Sequence, residues 1–138
     1  MKKKSVARLS VIVIAIVLIA GGCYIFNDIF PKAKSIGFPA VESISSVYTS
    51  CNSTDVSTVL SKGSYANLIE YISSAKPTRK QSLNDRPTVF PYYMVGIKTS
   101  EREYRYFIYE EGTQVYIEMP YEGIYTSDMQ LFQYVSKH

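Results

Sequence analysis

The sequence predicts an α+β fold: a small antiparallel sheet of about four strands, with one packed helix and a short C-terminal helix. Three observations predict it. Tyr104 to Met119 reads as two alternating strands around a Glu111-Gly112 turn. Tyr65, Leu68, Ile69 and Ile72 fall at i, i+3, i+4 and i+7, one apolar stripe of helical period. The chain also holds 13 Tyr and no Trp, a composition that suits strands and surfaces that bind peptides or sugars.

The N-terminus comes first. MKKKSVAR is a basic start, Leu9 to Ala20 is an apolar run, and Gly21-Gly22 precede Cys23. That order belongs to an export signal rather than to a fold. Small residues directly before a Cys also resemble the lipobox of bacterial lipoproteins, in which Cys23 is the lipid-modified residue. Ala20 departs from the pattern, which most often has Leu there. The other reading is an uncleaved transmembrane helix. Extended through Tyr24-Ile25-Phe26, the apolar run reaches about 27 Å at ~1.5 Å per residue, enough for a bilayer core. Its basic flank would then stay cytoplasmic. Both readings place the remainder on the outer, extracytoplasmic face of the cell membrane, as a lipoprotein or a single-pass protein. Residues 1–26 are thus signal or anchor. Residues 27–40, with Pro31, Gly37 and Pro39 and no period, read as a tether, and 41–138 as the extracytoplasmic domain.

Within that domain, Val41 to Ser50 reads as a first strand and Cys51 to Asp55 as a turn-rich break. Val56, Val59 and Leu60 suggest one short helical turn, which Gly63 interrupts. Ser64 is placed to cap the striped helix, and Pro77 to stop it, with Lys76 at the end that favours a cation. Thr78 to Pro91 is a connector. Tyr92 to Thr99 is a strand with Tyr93, Val95 and Ile97 alternating, and Ser100 to Glu103 turns into the hairpin. After Pro120-Tyr121-Glu122-Gly123, Thr126 or Ser127 caps a final helix through Val135, with Leu131, Phe132 and Val135 on one side.

Closing the hairpin at Glu111-Gly112 puts Ile108 opposite Val115, Tyr106 opposite Ile117 and Tyr104 opposite Met119 on an apolar face. The other face then pairs Tyr109 with Gln114, Phe107 with Tyr116 and Arg105 with Glu118. The apolar face needs a cover, and the striped helix is the one at hand.

Charge bounds function. Lys2, Lys3, Lys4 and Arg8 are four of the 15 basic residues, so the remainder, with 12 acidic groups, is near neutral. A near-neutral domain does not bind nucleic acid by bulk electrostatics. The single His is His138 and there is no CxxC, so no metal, zinc least of all, and no cofactor are expected. GxGxxG, P-loop and GxSxG patterns are absent. The acidic pairs Glu101/Glu103 and Glu110/Glu111 lie in turns, where acids are solvated. Two cysteines, Cys23 and Cys51, make no disulfide framework, and Cys51 reads as a small inert residue. A non-enzymatic chain is therefore expected. Its candidate binding residues are the aromatic side chains Phe107, Tyr109 and Tyr116, read as an exposed hairpin face for a peptide or protein partner. Arg79, Lys80, Asn84, Asp85 and Arg86 join them, as an anion or head-group contact. The same loop can equally hold itself rigid through Ser82, Asn84 and Asp85.

Gln81-Ser82-Leu83-Asn84-Asp85-Arg86-Pro87, Tyr106-Phe107-Ile108-Tyr109-Glu110-Glu111 and Tyr116-Ile117-Glu118-Met119-Pro120-Tyr121-Glu122-Gly123-Ile124-Tyr125 together resemble a family of small membrane-tethered extracytoplasmic proteins of Gram-positive bacteria, a domain of unknown function. The resemblance runs from about Val41 to Val135. It implies the compartment and the domain limits, and no catalytic residue. If the loop and the last motif pack at one end of the sheet, Tyr121 and Tyr125 lie beside Ser82, Asn84 and Asp85. The expected function is a non-catalytic binding or regulatory module of the bacterial cell envelope. The alternatives are an immunity-type lipoprotein against a peptide toxin, or an envelope enzyme.

Overall fold

The computed structural model describes residues 2–54 and 56–137, residues 2–10 by backbone alone. Asp55 and His138, named above, lie outside the described residues. The chain divides into two units, residues 1–32 and 33–138.

The first unit is a helix, α1 (Lys2–Ile29). Its stretch Val11–Ile29, 19 residues, is long and apolar enough to cross a membrane. At ~1.5 Å per residue that is about 28 Å. The described side chains of this stretch are exposed throughout, as an isolated apolar helix in water would not remain.

The second unit is one antiparallel sheet with helices on one face. Its strands are β1 (Ile44–Cys51), β2 (Ser57–Val59), β3 (Lys76–Pro77), β4 (Tyr92–Thr99), β5 (Glu103–Glu111), β6 (Gln114–Met119) and β7 (Gly123–Ser127). They lie in the order β2-β1-β4-β5-β6-β7-β3. The helices are α2 (Tyr65–Ser73) and α3 (Met129–Ser136). The sheet thus has seven strands among the described residues, not about four. The additional strands are short. β2 and β3, of three and two residues, are too brief to show a period, and β7 follows a turn closely enough to be read as part of it. The stretch from Val56 to Leu60 therefore holds the edge strand β2, Ser57–Val59, and not a helical turn.

The hairpin register also differs. Glu111 pairs with Gln114, Tyr109 with Tyr116, Ile108 with Ile117 and Phe107 with Glu118. The two-residue loop is Gly112-Thr113, with Gly112 at φ +66 in the first position, the arrangement of a type II′ turn. A Glu111-Gly112 loop would have needed positive φ at Glu111 or moved Gly112 from the position that needs it. Because the register moves by two residues, the side chains keep their expected faces. The Arg105–Glu118 pair does not form; Arg105 lies opposite Gly96 on β4.

The helix-side face is the main core. Val47, Val95, Ile97, Tyr106, Ile108 and Ile117 are fully buried there against Leu68 and Ile72 of α2 and Leu131 of α3. Ring contacts join the sheet to α3, Tyr93 with Phe132 at 5.4 Å, and α2 to α3, Tyr71 with Tyr134 at 5.6 Å between centroids. The cap of α3 is Asp128, whose Oδ1 accepts from the backbone N–H groups of Gln130 and Leu131, rather than Thr126 or Ser127. Ser64 makes no side-chain cap to α2; its hydroxyl lies 3.0 Å from that of Ser61.

Part of the segment read as a tether belongs to this core. Ala33, Ile36 and Phe38 pack against it, and Phe38 stacks on Tyr106. The Tyr106 hydroxyl donates to the Gly37 carbonyl at 3.3 Å. Ala33 N–H donates to the Thr78 carbonyl at 2.9 Å. Gly123, at φ +153, leaves room for it: a Cβ there would stand 2.4 Å from the Ala33 Cβ.

On the opposite face the Tyr48 ring lies flat over Gly96, so a Cβ at Gly96 would meet it at 2.3 Å. Gly96→Ala is expected to lower the unfolding free energy by about 1–3 kcal/mol. In the Tyr48→Ala background most of that loss should vanish, as read in a denaturant double-mutant cycle. Strict additivity of the two substitutions contradicts this packing.

Candidate functional site

The face of the sheet away from the helices divides into a closed half, which holds the aromatic candidates, and an open half, which Asp85 and Arg86 help to line. In the closed half, Phe107, Tyr109 and Tyr116 do share one face, with Tyr92, Met94 and Val89. It is not exposed: Phe107 and Tyr109 are buried and Tyr116 is half-buried. The connector, residues 78–91, crosses it. Lys80 Nζ sits 2.9 Å from Glu111 Oε2 and 4.1 Å from the centre of the Tyr116 ring. The Ser82 hydroxyl donates to Glu118 Oε1 at 2.6 Å, with both residues buried. Such a bond to a carboxylate is stronger than a neutral one, and losing it inside the protein leaves an unsatisfied acceptor. Burial, and then the nearby Glu118 charge, push the Tyr109 hydroxyl's pKa well above its ordinary value. The aromatic side chains therefore form a second small core under the connector and are not an open docking face.

Glu118 escaped the sequence reading because the expected register gave it Arg105 as a partner. The structure instead places it opposite Phe107.

The open half is a groove of 840 Å³. Tyr48 and Ser50 of β1, Met94 of β4, and Arg105 and Phe107 of β5 line it. Asp85 and Arg86 contribute from the connector, Arg102 from the β4–β5 turn, and Pro120 and Glu122 from the β6–β7 turn. Cross-strand register makes this surface, since Tyr48, Gly96 and Arg105 stand side by side on three strands. With no side chain at Gly96, the Tyr48 ring reaches across to donate its hydroxyl to Glu103 Oε1. Arg105 donates through Nε and Nη2 to Glu103 Oε2, at 3.0 and 2.8 Å. Burial, then the bond to Glu103, push the Tyr48 hydroxyl up to about 12. The Tyr48 hydrogen bond in turn holds the Glu103 carboxyl below its ordinary value, helped by Arg105 and opposed by burial.

The remaining candidates separate. Asp85 Oδ1 accepts from the Tyr121 hydroxyl at 2.8 Å, which joins the connector to the β6–β7 turn. Tyr121 thus lies beside the loop, as expected, whereas Tyr125 points the other way into the main core. Pro120-Tyr121 forms a type II turn, in which Glu122 N–H donates to the Met119 carbonyl at 3.0 Å. Its third position usually takes Gly or Asn; here Tyr121 adopts φ +63, at a cost of about 1–2 kcal/mol. Arg79 is half-buried at the start of the connector and Asn84 is exposed. Cys51 is half-buried with Sγ 3.0 Å from the Ser53 hydroxyl, and Cys23 lies on α1.

The family DUF5301, described as a domain of unknown function (DUF5300), matches residues 32–126. No curated protein matches the chain. Among solved structures, the NMR structure of a protein from Ruminococcus gnavus is similar, with a TM-score of 0.59 at 26% identity. The likeness covers 71% of this chain and 99% of that one.

The depressed Glu103 pKa has a direction in pH. The folded state holds this proton less tightly than the unfolded chain, whose carboxyl titrates near 4.5. Its contribution to stability is complete above that value and is lost as pH falls through the lower folded value. Thermal unfolding followed from neutral pH into the acid range is expected to show a smaller loss for Glu103→Gln than for the parent chain. An equal loss removes the role of the Tyr48–Glu103–Arg105 cluster.

Proposed function

We propose that this chain, which belongs to the DUF5301 family, is a non-catalytic binding or regulatory module, held at the outer face of the cell membrane by its N-terminal helix and engaging a protein or peptide partner through the groove. The observation that carries the reading is the asymmetry of the sheet face opposite the helices. Its apolar half is sealed by the chain's own connector. Its other half stays open, is lined by charged and hydroxyl side chains together with Met94, Phe107 and Met119, and is large enough for several residues of an extended segment. The anchor reading rests on Val11–Ile29, which continues past Cys23 without a break, and on Ala20, which departs from the lipobox.

Two measurements test this reading. With a photo-crosslinking residue at Ser50 in the groove, the full chain in its host membranes is expected to yield a discrete protein adduct. The same residue at exposed Glu70, on α2, should yield none. Identical adducts at both positions, or none at Ser50, overturn the groove as the partner site. Intact mass of membrane-extracted protein is expected to equal the full unmodified chain, with Cys23→Ala differing only by the substitution. Loss of residues 1–22 with a diacylglycerol mass on Cys23 overturns the single span in favour of a lipoprotein.

A further inference from the structure

Building on the groove reading, we infer that Arg86 and Arg102 form a carboxylate-recognition pair, and that the groove takes an acidic, extended segment of a protein partner. The formal charges in the groove lining balance: Arg86, Arg102 and Arg105 stand against Asp85, Glu103 and Glu122. Their commitments do not. Glu103 and Arg105 are bonded to each other, and Glu103 also accepts from Tyr48. Asp85 accepts from Tyr121 and so holds the groove wall together. Among the described residues, Arg86 and Arg102 have no carboxylate within ion-pair distance, the two salt bridges being Lys80–Glu111 and Arg105–Glu103; Glu122 acts on Arg102 from beyond that distance.

The Arg102 guanidinium is held in place, and so is the backbone that carries Arg86. Arg86 lies between two anchored neighbours, Asp85 bonded to Tyr121 and Pro87 buried against the sheet. The residue before a proline is restricted to extended backbone, which narrows its freedom further. The Arg102 guanidinium stacks over Tyr104 at 4.0 Å, and the Arg102 backbone N–H donates to the Thr99 hydroxyl at 3.2 Å. The Arg102 guanidinium commits a donor to Tyr104; the donors left over there and on Arg86 suit a planar anion, and carboxylate fits such a fork bidentately. Tyr121 is the positioning residue here. The left-handed conformation it adopts sets its hydroxyl where Asp85 is held, and Asp85 sets Arg86. An extended peptide suits the groove because its floor is open and its rims supply the hydroxyl and amide groups of Ser50 and Asn52.

The test uses the full chain in lipid nanodiscs and fluorescence anisotropy with labelled oligo-glutamate, oligo-serine and oligo-lysine peptides of equal length, and with inorganic polyphosphate as competitor. Oligo-glutamate is expected to bind, with Arg86→Gln and Arg102→Gln each weakening it about tenfold. Lys62→Gln, which removes an equal charge from an exposed turn outside the groove, should leave binding unchanged. Tyr121→Phe should weaken binding while thermal unfolding stays near that of the parent. Equal losses from Lys62→Gln and Arg86→Gln reduce the effect to bulk charge and overturn the proposal. Stronger binding of polyphosphate than of oligo-glutamate reassigns the pair to phosphate polymers and overturns it as well. Oligo-serine binding equal to oligo-glutamate, unaffected by both arginine variants, overturns carboxylate recognition but leaves the groove itself as a peptide site. If no probe binds, the carboxylate pair falls, and crosslinking at Ser50 alone then decides the groove.

Discussion

Strand β5 is apolar on both sides, and a strand of that kind cannot be left with one face in water. Tyr106, Phe107, Ile108 and Tyr109 are buried in succession, the first and third toward the helices and the other two away from them. Two covers are therefore required. The helices and the segment around Ala33 to Phe38 supply one. The connector supplies the other, and the buried Ser82–Glu118 hydrogen bond fixes it there. A carboxylate buried without a cation is costly unless its lone pairs are satisfied, so the latch and the aromatic packing depend on each other. The groove follows from the same constraint, because it is the part of that face that the connector borders, through Asp85 and Arg86, without covering.

This division of the sheet is what ties the fold to the functional reading. Where the strands present Tyr109 and Tyr116, the chain covers itself. Where they present Tyr48, Ser50 and Arg105, it does not, and these polar groups tolerate water. Exposed polar surface needs no partner for stability. The proposed signal for recognition lies instead in how the groove's charges are held, with one acid–arginine cluster closed on itself and two further arginines without a carboxylate in ion-pair distance among the described residues.

Much of this was legible in the sequence at the level of faces. The period-two alternation of Tyr104 to Met119 assigns each side chain to its face whichever two-residue loop closes the hairpin, and the stripe of Tyr65, Leu68 and Ile72 identifies α2. The resemblance in the QSLNDRP, YFIYEE and YIEMPYEGIY stretches points to an uncharacterised family, and the family match agrees at that level. Strand number was not legible, since β2, β3 and β7 are defined by their partners and not by a pattern of their own. The exposure of the aromatic face was misjudged for a related reason. A connector rich in Ser, Asn, Asp and Arg looks solvated, and only tertiary structure shows Ser82 and Pro87 turned inward. Ala33, Ile36 and Phe38 were missed because three apolar residues between prolines carry no period.

The seating of those three residues changes how the domain responds to load. A tether ending in a free strand of chain would deliver tension to the rim of the sheet and peel it open one bond at a time. Here a pull on the domain's N-terminal end arrives first at Ala33, bonded to Thr78 beside the β3–β7 edge, and then at Phe38, stacked on the buried ring of Tyr106. Thr78 in turn is the first residue of the connector. Mechanical strain entering at Ala33 is therefore shared between the central strand and the start of the strap that bounds the groove.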